Sequence, residues 1–196
     1  MQRKNPDKMN KIIEMATKLF SERDYHDVKL DEVARLSGVG KGSIYTYFKS
    51  KDYLFFKCLS HGVDEFTSKA LQTIKNESFD GAFRKLIGMF VEVLEIKGPM
   101  FASARKHGPK LKFSAEEYNE FISMTKQGID VMTVAFKKGL DEGLLDDTFF
   151  SPRQMAIVFQ GCFDISTAFI FHGERPLNED QLYEVLMRIF KKQRLT

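Results

Sequence analysis

Residues 41–51, KGSIYTYFKSK, hold the side chains in this sequence with the clearest chemistry. On a helical wheel that turns Ile44 and Phe48 inward, Gly42, Ser43 and Thr46 face outward, flanked by Tyr45 and Tyr47. Small polar residues on an exposed helix front let a backbone enter a duplex major groove, about 12 Å wide, and hydrogen-bond base edges. The Tyr45 and Tyr47 hydroxyls, with Lys41, Lys49 and Lys51, suit phosphate oxygens. Ser50 opens the following helix, whose unpaired N–H groups and dipole favour an anion. The competing interpretation is a helical corner packed into a core, and Lys41, Ser43, Tyr45, Thr46, Tyr47 and Lys49 make a poor core face.

Such a front needs rigid support, and residues 30–48, LDEVARLSGVGKGSIYTYF, have the pattern of a helix-turn-helix. Leu30, Val33 and Ala34 of the first short helix would meet Ile44 and Phe48 of the second, with the small Ala34 allowing close approach. Gly38 supplies the tight turn and Val39 plugs the angle. A preceding helix is predicted from Asn5 as N-cap, Pro6 at the first helical position and Asp7 in the first turn. Its stripe of Met9, Ile12, Ile13, Ala16, Leu19 and Phe20 follows a 3.6-residue period.

Helical periodicity continues to the end, and alternating β-branched runs are absent. The pattern predicts a long helix from Ser50 to about Lys75, then one through Phe83–Leu94 that Gly98-Pro99 ends, and a short one up to the His107-Gly108-Pro109 break. Ser114 and Glu117 form a capping box for a helix of about 28 residues that stops at Gly143. Ser151-Pro152 opens the next, and Asn178 with Gln181 the last. The expected class is all-α, with about nine helices: an N-terminal three-helix domain over residues 1–50 and a larger helical domain over 51–196.

Composition agrees with two modules. The chain has 196 residues and a net charge of +3. Residues 1–52 carry 11 Lys and Arg against 8 Asp and Glu, and residues 53–196 carry 19 of each, so the net basicity lies at the N-terminal end. That is the weak electrostatic footprint of a nucleic-acid contact. Of 19 Phe, 17 follow residue 52, marking an apolar second module. No apolar run reaches the ~20 residues of a membrane span and the polar N-terminus is unlike a signal peptide, so a cytoplasmic protein without a membrane partner is expected. Cys58 and Cys162 lie far apart with no CxxC pattern, which argues against a zinc site or a disulfide framework.

Residues 12–56 resemble the DNA-binding domain of the TetR family of transcriptional regulators. The resemblance rests on Ala16 and Phe20, Tyr25, Val33-Ala34, Ser37-Gly38-Val39, Gly42-Ser43-Ile44-Tyr45, Tyr47-Phe48, and Ser50-Lys51-Asp52 with Leu54. It covers about a quarter of the chain, and its ordered elements at fixed spacing are specific. Three positions depart from the family pattern: Asp24 stands where a glycine usually ends the first helix, Lys29 replaces a Ser/Thr cap, and Gly40 replaces a serine cap. Lys29 can still reach a phosphate.

The resemblance implies a homodimeric regulator, most simply a repressor, on a palindromic double-stranded DNA operator. Its DNA contacts would be Lys29, Lys41, Gly42, Ser43, Tyr45, Thr46, Tyr47, Lys49 and Lys51. It also implies dimerisation through the last two helices and a small-molecule effector pocket in the second domain. Phe83, Phe90, Met100, Tyr118, Phe121, Met124 and Phe136 lie on the helices that would surround it, and plain core is the simpler reading for most of them. The helix from Pro152 is apolar on more than one face and must be covered on all sides, by the rest of the chain or by a partner. Asp164 interrupts it, and a buried carboxylate there would need a donor, a cation or a ligand. His26, His61, His107 and His172 are scattered, and no triad, metal-ligand spacing or paired catalytic carboxylates stand out, so neither enzyme chemistry nor a cofactor or metal is expected. The alternative function is a helical small-molecule carrier or interaction module of the same fold that no longer reads DNA.

Overall fold

The computed structural model describes residues 5–61, 63–107, 110–112 and 114–191, the side chains of 63–65 and 121 excepted. Among them are nine helices: α1 (Pro6–Glu22), α2 (Leu30–Leu36), α3 (Lys41–Tyr47), α4 (Lys51–Ser60), α5 (Val63–Asn76), α6 (Phe79–His107), α7 (Ala115–Asp141), α8 (Pro152–Phe171) and α9 (Glu179–Phe190). The only strand-like pairing in the described residues is an isolated bridge between Leu145 and Lys191. The protein is all-α.

The helix starts follow local chemistry. The Asn5 side chain accepts from the Asp7 and Lys8 amides, and Ser50 Oγ accepts from the Tyr53 amide at 3.0 Å. Ser114, Ser151 and Asn178 each share reciprocal bonds with the Glu or Gln three residues on. These bonds satisfy N–H groups that have no partner inside the helix.

Two expected boundaries are corrected. The predicted helix from Ser50 to Lys75 is broken at His61, which is extended at φ −62° and ψ 128°. The orphaned end of α4 is stabilised there, because the Lys97 ammonium donates to the His61 carbonyl at 2.7 Å. Conversely, Gly98-Pro99 does not end a helix, and α6 continues through Pro99 to His107. Proline removes one hydrogen bond from a helix interior, and burial of Leu94 before it and Met100 after it holds the helical path. Gly108 and Pro109 lie outside the described residues. One predicted helix has become two and two have become one, which leaves the total at nine.

The chain forms two compact units, Met1–His61 with Ile96–Phe121, and Gly62–Glu95 with Ile122–Thr196. The core of the first joins Ile12, Ala16 and Phe20 of α1 to Val33 and Ala34 of α2, Ile44 of α3, Leu54 and Phe55 of α4, and Met100 of α6. The Phe20 and Phe55 rings meet edge-on at 4.8 Å. The core of the second is rich in phenylalanine: Phe79, Phe83 and Phe90 of α6, Phe136 of α7, Phe159 of α8 and Phe190 of α9. Each fully buried ring contributes about 1.5–3 kcal/mol by leaving water.

Contrary to the expectation for apolar runs, α8 is long and apolar enough to span a bilayer by length and composition. Its Met155, Ala156 and Phe159 belong to the core of the second unit. Ile157, Ile165 and Phe171 are exposed, about half so in the first two cases.

Candidate nucleic-acid interface

The corner between α2 and α3 is built by one glycine and a few apolar side chains. After Ser37, Gly38 turns the chain at φ +67°, a conformation that a Cβ disfavours. The Val39 amide then donates back to the Ala34 carbonyl at 2.9 Å, closing the end of α2. Ile44 and Phe48 are buried against Val33 and Ala34, which fixes how α3 rolls about its axis. That roll leaves the opposite side of α3 in solvent. Tyr45 is 53% exposed, Gly42 and Thr46 are exposed, and Ser43 and Tyr47 are half-buried.

The small groups on this front are held in place. Thr46 Oγ1 donates to the Gly42 carbonyl at 3.1 Å. Gly40 caps α3 without a side-chain bond, and the Ser43 amide donates to its carbonyl at 2.8 Å. Tyr47 Oη accepts the Asn5 amide at 3.2 Å, tying the start of α1 to the end of α3. The sequence marked Tyr47 only as a phosphate donor. A Tyr side chain has no fixed partner in a periodicity, so this tie was not visible there.

The lysines around α3 differ in how freely they can reach an anion. Lys29 is the N-cap of α2, makes no side-chain cap bond and is exposed. Lys41 pairs with Asp31 at 2.8 Å, and that carboxylate holds its ammonium above the usual lysine range. Lys49 approaches Glu116 at 3.9 Å. Lys51 lies over the Tyr25 ring, 4.4 Å from its centroid, and donates to the His26 carbonyl at 3.5 Å. Burial lowers the Lys51 ammonium below the usual range, opposed by Asp52, Asp24 and Asp27. Tyr25 itself is buried and bonded through its hydroxyl to Asp52, and that burial and bond push its phenol well above the ordinary range. All nine residues expected at the interface therefore lie in the first unit, on α3, in the linker that follows it, or at the starts of α2 and α4. Tyr25 and Asp52, which position Lys51, were seen in the sequence only as family markers.

The residues expected around an effector are dispersed. Phe83, Phe90 and Phe136 share the core of the second unit, with the Phe83 and Phe136 rings 5.4 Å apart. Met100 is fully buried in the core of the first unit instead. Tyr118 is exposed and Met124 half-buried. The Phe121 side chain lies outside the described residues. Asp164 is exposed, so the premise of a carboxylate buried within the protomer fails. Its carbonyl accepts from Thr167 Oγ1 at 2.9 Å. An open depression of about 600 Å³ in the second unit is lined by Lys137, Leu140, Asp141, Leu145, Asp146 and Asp147, and contains none of those residues. Among the described residues no cluster of His, Cys, Asp and Glu could hold a metal ion.

A two-helix corner with a left-handed glycine turn and a polar, exposed second helix is the architecture of a helix-turn-helix reader. The sequence profile of bacterial regulatory proteins of the tetR family matches residues 12–58. The transcriptional activator FasR of Mycolicibacterium smegmatis is 30% identical over 182 residues, covering 91% of this chain and 78% of that protein. The uncharacterised regulator YhgD of Bacillus subtilis is 42% identical over 64 residues, covering 33% of this chain and 34% of its own length. With several such curated relatives the chain spans only about a third of their length. In fold, the chain is similar to the regulator FadR of Bacillus subtilis in complex with stearoyl-CoA, at a TM-score of 0.68 and 17% identity, covering 92% of this chain and 96% of that one. The chain belongs to the TetR family of helix-turn-helix transcriptional regulators.

Proposed function

We propose that the protein is a homodimeric, ligand-responsive repressor that reads a palindromic DNA operator with α3. The observation that carries this reading is the division of α3 into a buried Ile44 side and a solvent side of Gly42, Ser43, Tyr45 and Thr46. In this reading Ser43 and Thr46 meet base edges, while Lys29, Lys41, Tyr45, Tyr47, Lys49 and Lys51 meet phosphates. Two copies would enter major grooves about 34–36 Å apart. The DNA contacts fall in residues 1–50 with Lys51 at the boundary, and the dimer and effector surfaces in 51–196.

The dimer reading is supported by exposed apolar residues on the last two helices, Ile157, Ile165 and Phe171 of α8 with Val185 and Ile189 of α9. Water contact along such a stripe is unfavourable, and a second copy would remove it. The effector reading is supported by the phenylalanine-rich second unit, and by the ligand held by a protein of the same fold, the stearoyl-CoA of FadR. For the signal to work, the effector must prefer the DNA-incompetent state. Moving a population from 1:99 to 99:1 takes about 5.5 kcal/mol of differential affinity.

Footprinting on the duplex upstream of its own gene tests the DNA reading. A protected, two-fold symmetric stretch that Thr46→Ala changes in sequence preference is expected, and no protection anywhere overturns it. The same fragment fused to a reporter gives the sign of regulation, which matters because FasR is an activator by name. Ile165→Glu should convert dimers to monomers in sedimentation, and a monomeric wild type rejects the dimer.

A further inference from the structure

The loop between α1 and α2 is gripped by the last turn of α6 through a cluster of charged and polar groups, none of which is itself among the expected DNA contacts. Asp24 sits at its centre. Its carboxylate accepts from His107 Nε2 at 2.9 Å, from Lys106 Nζ at 2.9 Å and from the His26 amide at 3.1 Å. His107 is buried, and its ring meets the His26 ring edge-on at 4.5 Å. One residue further on, the Tyr25 amide donates to Ser103 Oγ of α6 at 3.2 Å. The Tyr25 hydroxyl reaches Asp52 of α4, which also accepts the Lys112 amide at 2.9 Å. Three side chains of α6, Ser103, Lys106 and His107, therefore hold two consecutive residues of a loop that leads directly into α2.

The electrostatics of this junction are conditional. A helix C-terminus presents unpaired carbonyls and the negative end of the dipole, so a carboxylate placed there is repelled. The last turn of α6 carries Arg105, Lys106 and His107, which reverse the local sign. Burial disfavours the charge on Asp24, yet the bonds from Lys106, His107 and the His26 amide outweigh it and hold the carboxyl well below its ordinary range. With its bases, Asp24 clamps the loop to α6. Without them, the same carboxylate would drive the loop away.

We propose that Asp24 is the positioning residue that fixes the start of α2, and with it the angle of α3, to the last turn of α6. This rests on the DNA-reading function of α3 proposed above. The clamp acts on register: a loosened α2 start lets α3 sample orientations in which phosphate contacts persist and base contacts do not.

The test uses full-length Asp24→Asn, Lys106→Met and the double variant. Amide exchange of the free protein, read by mass spectrometry, should quicken at least tenfold in segments 24–28 and 103–107 of Asp24→Asn, a change of the size expected for losing charge-assisted hydrogen bonds. Segments 131–136 and 155–159 should keep wild-type rates, which excludes global loss of folding. Lys106→Met should quicken the same two segments more than Asp24→Asn does, and adding Asp24→Asn to it should restore slower exchange. Packing alone would instead make the two losses add. On DNA, the ratio of affinity for the footprinted site over random duplex should fall at least tenfold in Asp24→Asn through lost base contacts, while the charge change itself acts on both duplexes alike and cancels in the ratio. Unchanged exchange in Asp24→Asn, additive losses or an unchanged ratio overturns the clamp. A wild type that binds no duplex while the exchange pattern holds overturns the DNA reading and leaves the clamp as a structural joint only.

Discussion

The ion pair between Lys41 and Asp31 allows a count of phosphate contacts to be tested by removing a carboxylate. Both side chains are more than half exposed, and the Lys41 ammonium lies 2.8 Å from the Asp31 carboxylate. Before Lys41 can neutralise a phosphate it must leave this internal counterion, and Asp31 must then recruit a cation from solution. The two ion movements nearly cancel, so Lys41 adds little to the salt dependence of the wild-type complex. In Asp31→Asn the lysine starts unpaired, and each protomer should release about 0.9 more counterions on binding. For a dimer the slope of log K against log salt should steepen by about 1.8. Between 50 and 200 mM salt that makes the affinity of Asp31→Asn fall about 12-fold further than that of wild type. Fluorescence anisotropy on one labelled duplex measures this directly. Asp31 also lies in the first turn of α2, where a negative charge favours the helix, so thermal melting must show the variant fully folded at the assay temperature. An unchanged slope in a folded variant would mean that Lys41 never reaches a phosphate.

Three further outcomes follow from packing and titration. Gly139→Ala should destabilise the fold by about 1–3 kcal/mol in urea titration, because the added Cβ would lie 2.6 Å from Leu145 Cδ1 and 2.9 Å from Phe79; an unchanged midpoint contradicts that packing. Burial pushes the Cys58 thiol up to about 12, so alkylation located by mass spectrometry should modify it only as the protein unfolds, and fast native labelling contradicts its burial. Because the Asp24 carboxyl is held below its unfolded value, its stabilisation is complete above pH of about 4 and lost as pH falls further. The difference in melting temperature between wild type and Asp24→Asn should therefore be present at pH 7 and narrow toward acid, and a gap that widens below pH 4 reverses the assigned sign.

The features legible in the sequence are those that neighbours along the chain can settle. Asn5, Ser114 and Asn178 cap their helices because the oxygen and the N–H it meets are two or three residues apart. Gly38 turns the corner because its own missing side chain permits the left-handed backbone. The inward side of α3 follows from Ile44 and Phe48 alone, since four residues make about one turn, and the solvent front of the candidate interface follows from it. Charge counting likewise marked the basic end without any coordinates.

Where the chain folds back, local pattern gave the wrong answer or none. The apolar period runs unbroken past residue 61, yet α4 ends there, where Lys97 waits to bond the freed carbonyl. Pro99 looks like a stop and is not one, because distant residues bury the side chains on either side of it. Met100, which the resemblance offered as either pocket or plain core, belongs to the core under the helix-turn-helix. Asp24 read as a slight departure from a family pattern until Lys106 and His107, more than 80 residues later, were seen on either side of its carboxylate. A residue's type fixes which bonds it can make, and its near neighbours fix backbone conformation. Which distant partner meets it is decided by tertiary packing, which is why the reading surface could be drawn from the sequence and the joint behind it could not.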